Sequence, residues 1–241
     1  EKLSDYYLDR GYVDFNVEST QVAISPNKRD IYVTANVAEG EVYTVSSVKV
    51  TGDTILPLED IKKMVVLQEG MVFSRALVEL TSDGIIATLG NIGYAFAQVN
   101  PVPEIDRENR KIGINFFVEP GPRVQVRRIS FVGNSTTADE VLRREMRQFE
   151  GAWFSQAAVD RSKVRLQRLG YFETVDVETP EVAGQPDQVD VVIKVKERNS
   201  GQFTFGLGYQ QVYGLITSVQ LTQTNFLGTG NRFSLAVQNN S

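Results

Sequence analysis

The sequence contains no cysteine and no histidine. Without cysteine there is no disulfide, no thiolate nucleophile and no thiolate metal site. Without histidine there is no imidazole base, no Ser-His-Asp triad and no histidine-ligated zinc. No convergent acid-base set is visible, so neither an enzyme nor a bound metal or cofactor is expected. No run of about 20 apolar residues occurs, which excludes a membrane-spanning helix. A basic surplus is also missing. Net charge is -5, whereas nucleic-acid domains carry a marked positive excess, so no nucleic-acid partner is expected. The arginine runs, Arg123 with Arg127 and Arg128, then Arg143, Arg144 and Arg147, are interleaved with acids and read as solvated faces or protein-docking surfaces.

The most telling shortage is local. The chain holds 25 Lys+Arg and 30 Asp+Glu, yet Arg232 is the sole charged residue of residues 199–241. Gly201, Gln202, Phe203, Thr204, Phe205, Gly206, Leu207, Gly208, Tyr209 and Gln210 alternate small or polar residues with large apolar ones. That is the period of a strand with one apolar face. A membrane barrel strand has this pattern and needs about 9 to 11 residues to cross a bilayer. Phe203, Phe205, Leu207 and Tyr209 are therefore expected to face lipid. Residues 215–222 and 231–238 repeat the alternation less cleanly. A soluble sandwich edge is the alternative, but its outer face normally carries Lys or Glu. Closed barrels begin at about eight strands, and this tail supplies only three or four. The expectation is the truncated start of a transmembrane β-barrel, and a chain that is a piece of a longer one.

Ahead of the tail the sequence repeats. Val48-Lys49-Val50-Thr51-Gly52 returns as Ile129-Ser130-Phe131-Val132-Gly133, Gly70 as Gly151, and Phe73-Ser74 as Phe154-Ser155, all 81 positions later. Gly93-Tyr94 returns as Gly170-Tyr171 after 77, so four residues, about one helical turn, are lost between the Ser and the Gly. Each unit reads strand, helix, helix, strand, strand. In the second, Thr137 and Glu140 form a T-x-x-E capping box, and Ala138, Leu142, Met146 and Phe149 share a helical face. Ser155 caps the next helix, whose inner stripe is Ala158, Ser162, Leu166 and Leu169. Strands follow at 171–177 and 189–195 around the turn residues 184–187. Residues 1–40 read as the end of an earlier unit: a helix with Leu3, Tyr6, Tyr7 and Leu8, a Gly11 cap, and strands at 12–24 and 30–37 around Pro26-Asn27. The fold class is α+β, with tandem β-α-α-β-β units of two helices on a three-stranded mixed sheet.

Several longer motifs point to a family. They are Leu142-Arg143-Arg144-Glu145-Met146-Arg147-Gln148, Glu150-Gly151-Ala152-Trp153, Leu169-Gly170-Tyr171-Phe172-Glu173-Thr174-Val175, Lys194-Val195-Lys196-Glu197-Arg198-Asn199 and Asn225-Phe226-Leu227-Gly228-Thr229-Gly230-Asn231. With these assembled, the chain resembles the BamA family of outer-membrane protein assembly factors, within the superfamily that joins periplasmic POTRA domains to a membrane barrel. The resemblance implies that residues 1–40 end one POTRA domain, that 41–121 and 122–198 are the next two, and that 199–241 are the first barrel strands. It implies a sheet with the last strand in the middle and the second at an edge, a location in the outer membrane with the POTRA domains in the periplasm, and a role in inserting unfolded outer-membrane proteins.

The same resemblance assigns sites. The family's first barrel strand pairs weakly with its last and templates client strands at a lateral gate. In this sequence that strand is Gly201–Gln210. At the position of Glu150 the family uses a Glu of the last POTRA domain to meet an Arg of the BamD lipoprotein. Glu150, with Arg147 one turn earlier, is therefore expected to dock a BamD-like lipoprotein within an assembly complex of lipoproteins. Taken alone, Glu150 reads as a solvated side chain ahead of a capping glycine. The strands at 94–99 and 171–177 offer edges for client β-augmentation, the second of them guarded by Glu173, Asp176 and Glu178. Trp153 and Phe154 are expected to plug the core. Other readings of the whole chain are a related POTRA-barrel secretion or translocation transporter, and a soluble periplasmic scaffold.

Overall fold

The computed structural model describes residues 2–25, 27–211 and 214–240. The chain divides into two compact units, residues 1–90 with 96–121, and residues 91–95 with 122–241.

The first unit opens with helix α1 (Lys2–Leu8) and a two-stranded antiparallel ribbon, β1 (Asn16–Ile24) and β2 (Ile31–Ala38). Gly11 follows the helix at positive φ, as a C-terminal glycine cap should. The turn expected at Pro26-Asn27 is seen at Asn27 and Lys28, where the Lys28 N–H reaches the Ser25 carbonyl at 2.8 Å. Pro26 itself lies outside the described residues. Next come β3 (Thr44–Gly52), α2 (Leu58–Met64), α3 (Arg75–Asn91), β4 (Gln98–Asp106) and β5 (Lys111–Glu119). The sheet order is β3-β5-β4, with β5 parallel to β3 and antiparallel to β4. The edge expected at 94–99 thus begins at Gln98, because residues 94–97 form the turn that leads into it.

The second unit repeats this arrangement with β6 (Gln125–Val132), α4 (Asp139–Arg143), α5 (Gln156–Arg168), β7 (Phe172–Glu178), the short β8 (Glu181–Val182) and β9 (Gln185–Glu197). Its order is β6-β9-β7, with β8 also on β9. The reverse turn is tighter than the expected 184–187. Gly184 alone takes positive φ, and Gln185 already belongs to β9.

The 81-residue offset reaches individual hydrogen bonds. The Val45 N–H bonds the Met71 carbonyl, as Val126 does Ala152; Gly70 bonds Val45, as Gly151 does Val126; Phe73 bonds Tyr43, as Phe154 does Val124. Both first strands carry an irregularity at the same place, Val45/Ser47 and Val126/Arg128. In each unit a hydroxyl of the longer helix, Thr81 or Ser162, is fully buried and accepts an N–H from the segment that follows the shorter one, that of Val66 or Arg147. The longer helices have 17 and 13 residues, so the four residues missing from the second repeat come out of α5.

Two helical expectations are corrected. Ser155 does cap α5, accepting the Ala158 N–H, and Ser162 and Leu166 are buried, but Val159 rather than Ala158 completes the inner stripe. In α4 the residue before the helix is Ala138 and no side chain caps it. Thr137 is taken by other partners, so the T-x-x-E box does not form. Val141, Leu142 and Met146 are buried, whereas Phe149 is 63% exposed. Phe154 fills the core, but Trp153 stays half exposed with the Arg123 guanidinium 4.1 Å above its ring.

The unit ends with three antiparallel strands, β10 (Gly201–Gln210), β11 (Gly214–Phe226) and β12 (Asn231–Asn240), in the order β10-β11-β12.

Gly52 and Gly133 close the first strand of each repeat at φ +92° and +94°, with the central strand's carbonyls of Val118 and Val195 against the side a Cβ would occupy. Gly133→Ala adds a left-handed alanine to a backbone clash, and thermal melts are expected to show a loss of about 3 kcal/mol. Gly184→Ala, at φ +75° with open space around it, should cost about 1 kcal/mol.

Candidate strand-pairing and docking sites

Directly opposed residues of an antiparallel pair share a face, so register shows what the tail presents. Phe203 lies opposite Leu221 and Leu221 opposite Leu235; Phe205 lies opposite Val219 and Val219 opposite Val237. With Leu207, Tyr209 and Phe233 they make one largely apolar face, from Val219 at 36% exposed to Tyr209 at 74%, with Thr217, Gln223 and Asn239 its polar exceptions. The other face carries Gln202, Thr204, Gly206, Gly208, Ser218, Gln220, Thr222, Ser234 and Ala236, with Ile216 the apolar exception. Gly206 leaves room for the Ser218 hydroxyl opposite it. All nine of the residues from Gly201 to Tyr209 thus lie on one strand, and Phe203, Phe205, Leu207 and Tyr209 on its apolar side. β10 pairs only with β11 among the described residues, so its other edge is unpaired.

The turn between β11 and β12 is anchored on the preceding domain. Asn225, at positive φ and 6% exposed, donates from Nδ2 to the Thr137 Oγ1 at 2.7 Å and accepts the Gly230 N–H at 2.8 Å. The Ala138 N–H donates to the Gly228 carbonyl at 3.0 Å, and the Tyr171 hydroxyl donates to the Gly230 carbonyl at 2.9 Å. Beneath them the Glu197 carboxylate gathers the N–H groups of Thr137 (2.7 Å) and Thr136 (3.0 Å) and the Ser135 hydroxyl (2.9 Å). Burial works to raise the Glu197 pKa, but these donors outweigh it and bring it down to about 2. Thr137 is therefore part of the joint between domain and strands instead of a helix cap. Sequence reading gave Glu197, Asn225 and Tyr171 no site role; the NFLGTGN motif pointed to the family without showing what it rests on.

Glu150 is more occupied than a solvated carboxylate. Its Oε1 accepts the Ile129 N–H of β6 at 2.8 Å and an Arg143 guanidinium N–H at 3.3 Å, and Arg143 also donates to the Ile129 carbonyl at 3.2 Å. The Ile129 amide, and behind it Arg143, hold the Glu150 pKa below the ordinary carboxylate range against the opposing pull of burial. The two side chains together cover the N–H and C=O that Ile129 turns away from β9. Their outer surfaces remain about half exposed, beside Phe149. Arg147 makes no bond to Glu150 among the described residues. Its guanidinium folds onto the Met146 carbonyl at 2.9 Å and borders a separate cleft of about 440 Å³ with Asp160, Arg161 and Arg165. Arg143 is the arginine that pairs with Glu150. Among the described residues no cluster of three or more acids is placed to hold a metal ion.

The POTRA family model, described as a surface antigen variable number repeat, matches residues 1–40, 43–121 and 124–198. The chain belongs to the POTRA family. Its fold is similar to that of the Haemophilus influenzae BamA POTRA3-5 crystal structure, at 37% identity and TM-score 0.77, over 81% of this chain and 77% of that one. It is also similar to Haemophilus ducreyi BamA lacking POTRA domains 1-3, at 40% identity and TM-score 0.70, over 82% of this chain and 37% of that one. The outer membrane protein assembly factor BamA of Neisseria meningitidis is 32% identical over 98% of this chain, and that of Buchnera aphidicola is 30% identical over all of it. The POTRA chain spans 30% and 39% of the length of those two relatives.

The depressed Glu197 pKa has a stability consequence of fixed sign. The stabilisation is present above the unfolded-state value near 4.5 and is lost as pH falls from there toward about 2. Acid titration of the melting temperature is expected to show a loss on the order of 2 kcal/mol across that window, and Glu197→Gln should flatten it.

Proposed function

We propose that the chain is the membrane-proximal POTRA arm and the opening barrel strands of an outer-membrane protein assembly factor, with the arm in the periplasm and β10 to β12 in the outer membrane. The observation that carries this reading is the uncharged, exposed and largely apolar face that runs across all three terminal strands. In water such a face would be a liability; against acyl chains it is the stable arrangement, with the small and polar face turned inward. The names of the relatives point the same way. The work is done by backbone pairing: an unpaired edge in lipid leaves amides and carbonyls that an incoming strand can satisfy, so β10 templates unfolded outer-membrane clients. Partner lipoproteins dock on the last POTRA domain. There the exposed side of the Glu150 and Arg143 pair, with Phe149 beside it, offers a charged and aromatic surface for a BamD-like lipoprotein.

In liposomes, the full-length parent protein is expected to accelerate folding of an unfolded barrel client, and Phe205→Pro with Leu207→Pro in β10 should abolish the acceleration. A client that instead crosses the membrane unfolded would place the protein among the related transporters. For docking, Glu150→Gln keeps an oxygen for the Ile129 N–H while removing the charge. Titration with the lipoprotein should show about tenfold weaker binding, with the melting temperature lowered only slightly because the Ile129 N–H keeps its acceptor. Undiminished affinity would remove Glu150 from the interface.

A further inference from the structure

Arg75, Arg107, Arg110, Arg127 and Arg143 each lie within ion-pair distance of an aspartate or glutamate. Along the cleft of about 440 Å³ beside α5 the balance is different. Arg147, Arg161, Arg165 and Arg168 border it, with Asp160 and the half-exposed Val164. Of these arginines only Arg165 has an acid, Glu145 at 2.7 Å. Arg161 donates to the Ala157 carbonyl at 3.0 Å and Arg147 to the Met146 carbonyl at 2.9 Å, so both charges lack a counter-ion among the described residues. Arg168 bonds no group among them, and Asp160 is held by Gln156 at 2.9 Å. Positions 161, 165 and 168 share one face of the helix, where like charges repel. The helix dipole accounts for cations in the last turn, Arg165 and Arg168. It does not account for Arg161, or for Arg147 on the neighbouring segment. The helix runs toward the terminal strands. Gly170 reverses the chain after it, Phe172 lies opposite Glu197, the Arg198 N–H bonds the Tyr171 carbonyl at 2.9 Å, and the Tyr171 hydroxyl reaches the β11–β12 turn. Arg168 therefore stands at the end of the domain from which the strands depart.

We infer that this arginine cleft binds the phosphodiester headgroup of an anionic phospholipid of the periplasmic leaflet. The inference rests on the reading of β10 to β12 as membrane strands, which brings the Tyr171 end of the domain to the level of the headgroups. A guanidinium presents paired N–H donors that match two phosphate oxygens, and Arg147, Arg161 and Arg168 have no acid to give up first. Val164 and the methylene stems of the arginines make the walls apolar beneath a charged rim. A free phosphate has nothing to set against such walls, whereas the glycerol and first methylenes of a lipid do. Asp160 lies at the end of the cleft farther from Tyr171, so a headgroup entering from the strand side meets Arg168 first and the carboxylate last. Each arginine close to an anionic leaflet adds to the attraction, which fades within a Debye length. None of the lining residues belongs to the Glu150 and Arg143 pair, so a lipid held here fixes the domain to the membrane surface without a protein partner.

The test uses the full-length parent protein in nanodiscs of phosphatidylcholine, alone or with phosphatidylglycerol added, read by amide hydrogen exchange. Insertion into either disc tests the barrel reading; only the difference that phosphatidylglycerol makes tests the cleft. The expected result is added protection over residues 156–168 in the anionic discs, weakened by salt and not reproduced by inorganic phosphate in discs of phosphatidylcholine alone. Titrated with short-chain phosphatidylglycerol, Arg161→Gln with Arg168→Gln should bind about thirtyfold more weakly. Little change in melting temperature is expected, since both side chains are exposed and neither has an acid partner. Lys28→Gln with Arg29→Gln removes the same charge at a distant turn and should bind as the parent does. Val164→Glu keeps every arginine but puts a carboxylate among them, and it should abolish the added protection. Equal protection in both kinds of disc, undiminished affinity after Arg161→Gln with Arg168→Gln, protection by inorganic phosphate alone, or protection that appears only with an acidic partner protein would each overturn the inference.

Discussion

Backbone pairing is the constraint to which the whole chain answers. A strand has two edges, and each edge carries amides and carbonyls that must be bonded to something. In both POTRA units the last strand takes the centre, parallel to the first and antiparallel to the second. A parallel partner requires a crossover, and the two helices are that crossover; they pay their way by covering one face of the sheet. The same choice leaves two outer edges per unit. β7 is guarded by cross-strand ion pairs, Glu173 with Lys196 and Glu178 with Lys194, each at 2.6 Å. On β6 the outward groups of Ile129 are covered by Glu150 and Arg143; β3 has no such cover among the described residues. One repeated fold thus carries edges in different states, and the difference lies in a few side chains instead of in the backbone.

The terminal sheet answers to the same constraint in a different solvent. Cross-strand register stacks Phe203, Leu221 and Leu235 in one row and Phe205, Val219 and Val237 in the next. Arg232 is its only charged residue. Charges that would protect an edge in water are absent where the proposed surroundings are lipid, and there an unpaired edge is more costly and more selective for another strand.

How much of this could be read from the sequence follows from the range of each interaction. The repeat was legible because it is written in glycines and short motifs whose backbone demands are local, and β10 because alternation is local too. The strand order needed the family resemblance. The capping box at Thr137 misled because T-x-x-E is a local pattern, and a distant Glu197 and Asn225 claimed the same groups. Phe149 looked like a fourth core position of its helix, but α4 ends at Arg143 and the period does not carry on to it. Arg143 was within reach: it repeats Lys62 at the same offset at which Glu150 repeats Glu69, so the charge pair was itself part of the repeat. That it folds back onto a strand edge was not, since side-chain reach across 14 residues leaves no trace in periodicity.

The last POTRA domain and the terminal strands are connected twice, once through the chain at residues 198–200 and again where the Asn225 turn sits on Thr137, Ala138 and Tyr171. A single covalent tether is a swivel. Two separated attachments form a bracket, which resists twisting as well as separation. Any torque on the domain is therefore delivered to the β11–β12 turn and, through its ladder with β11, to β10, before the covalent link alone would have begun to tighten.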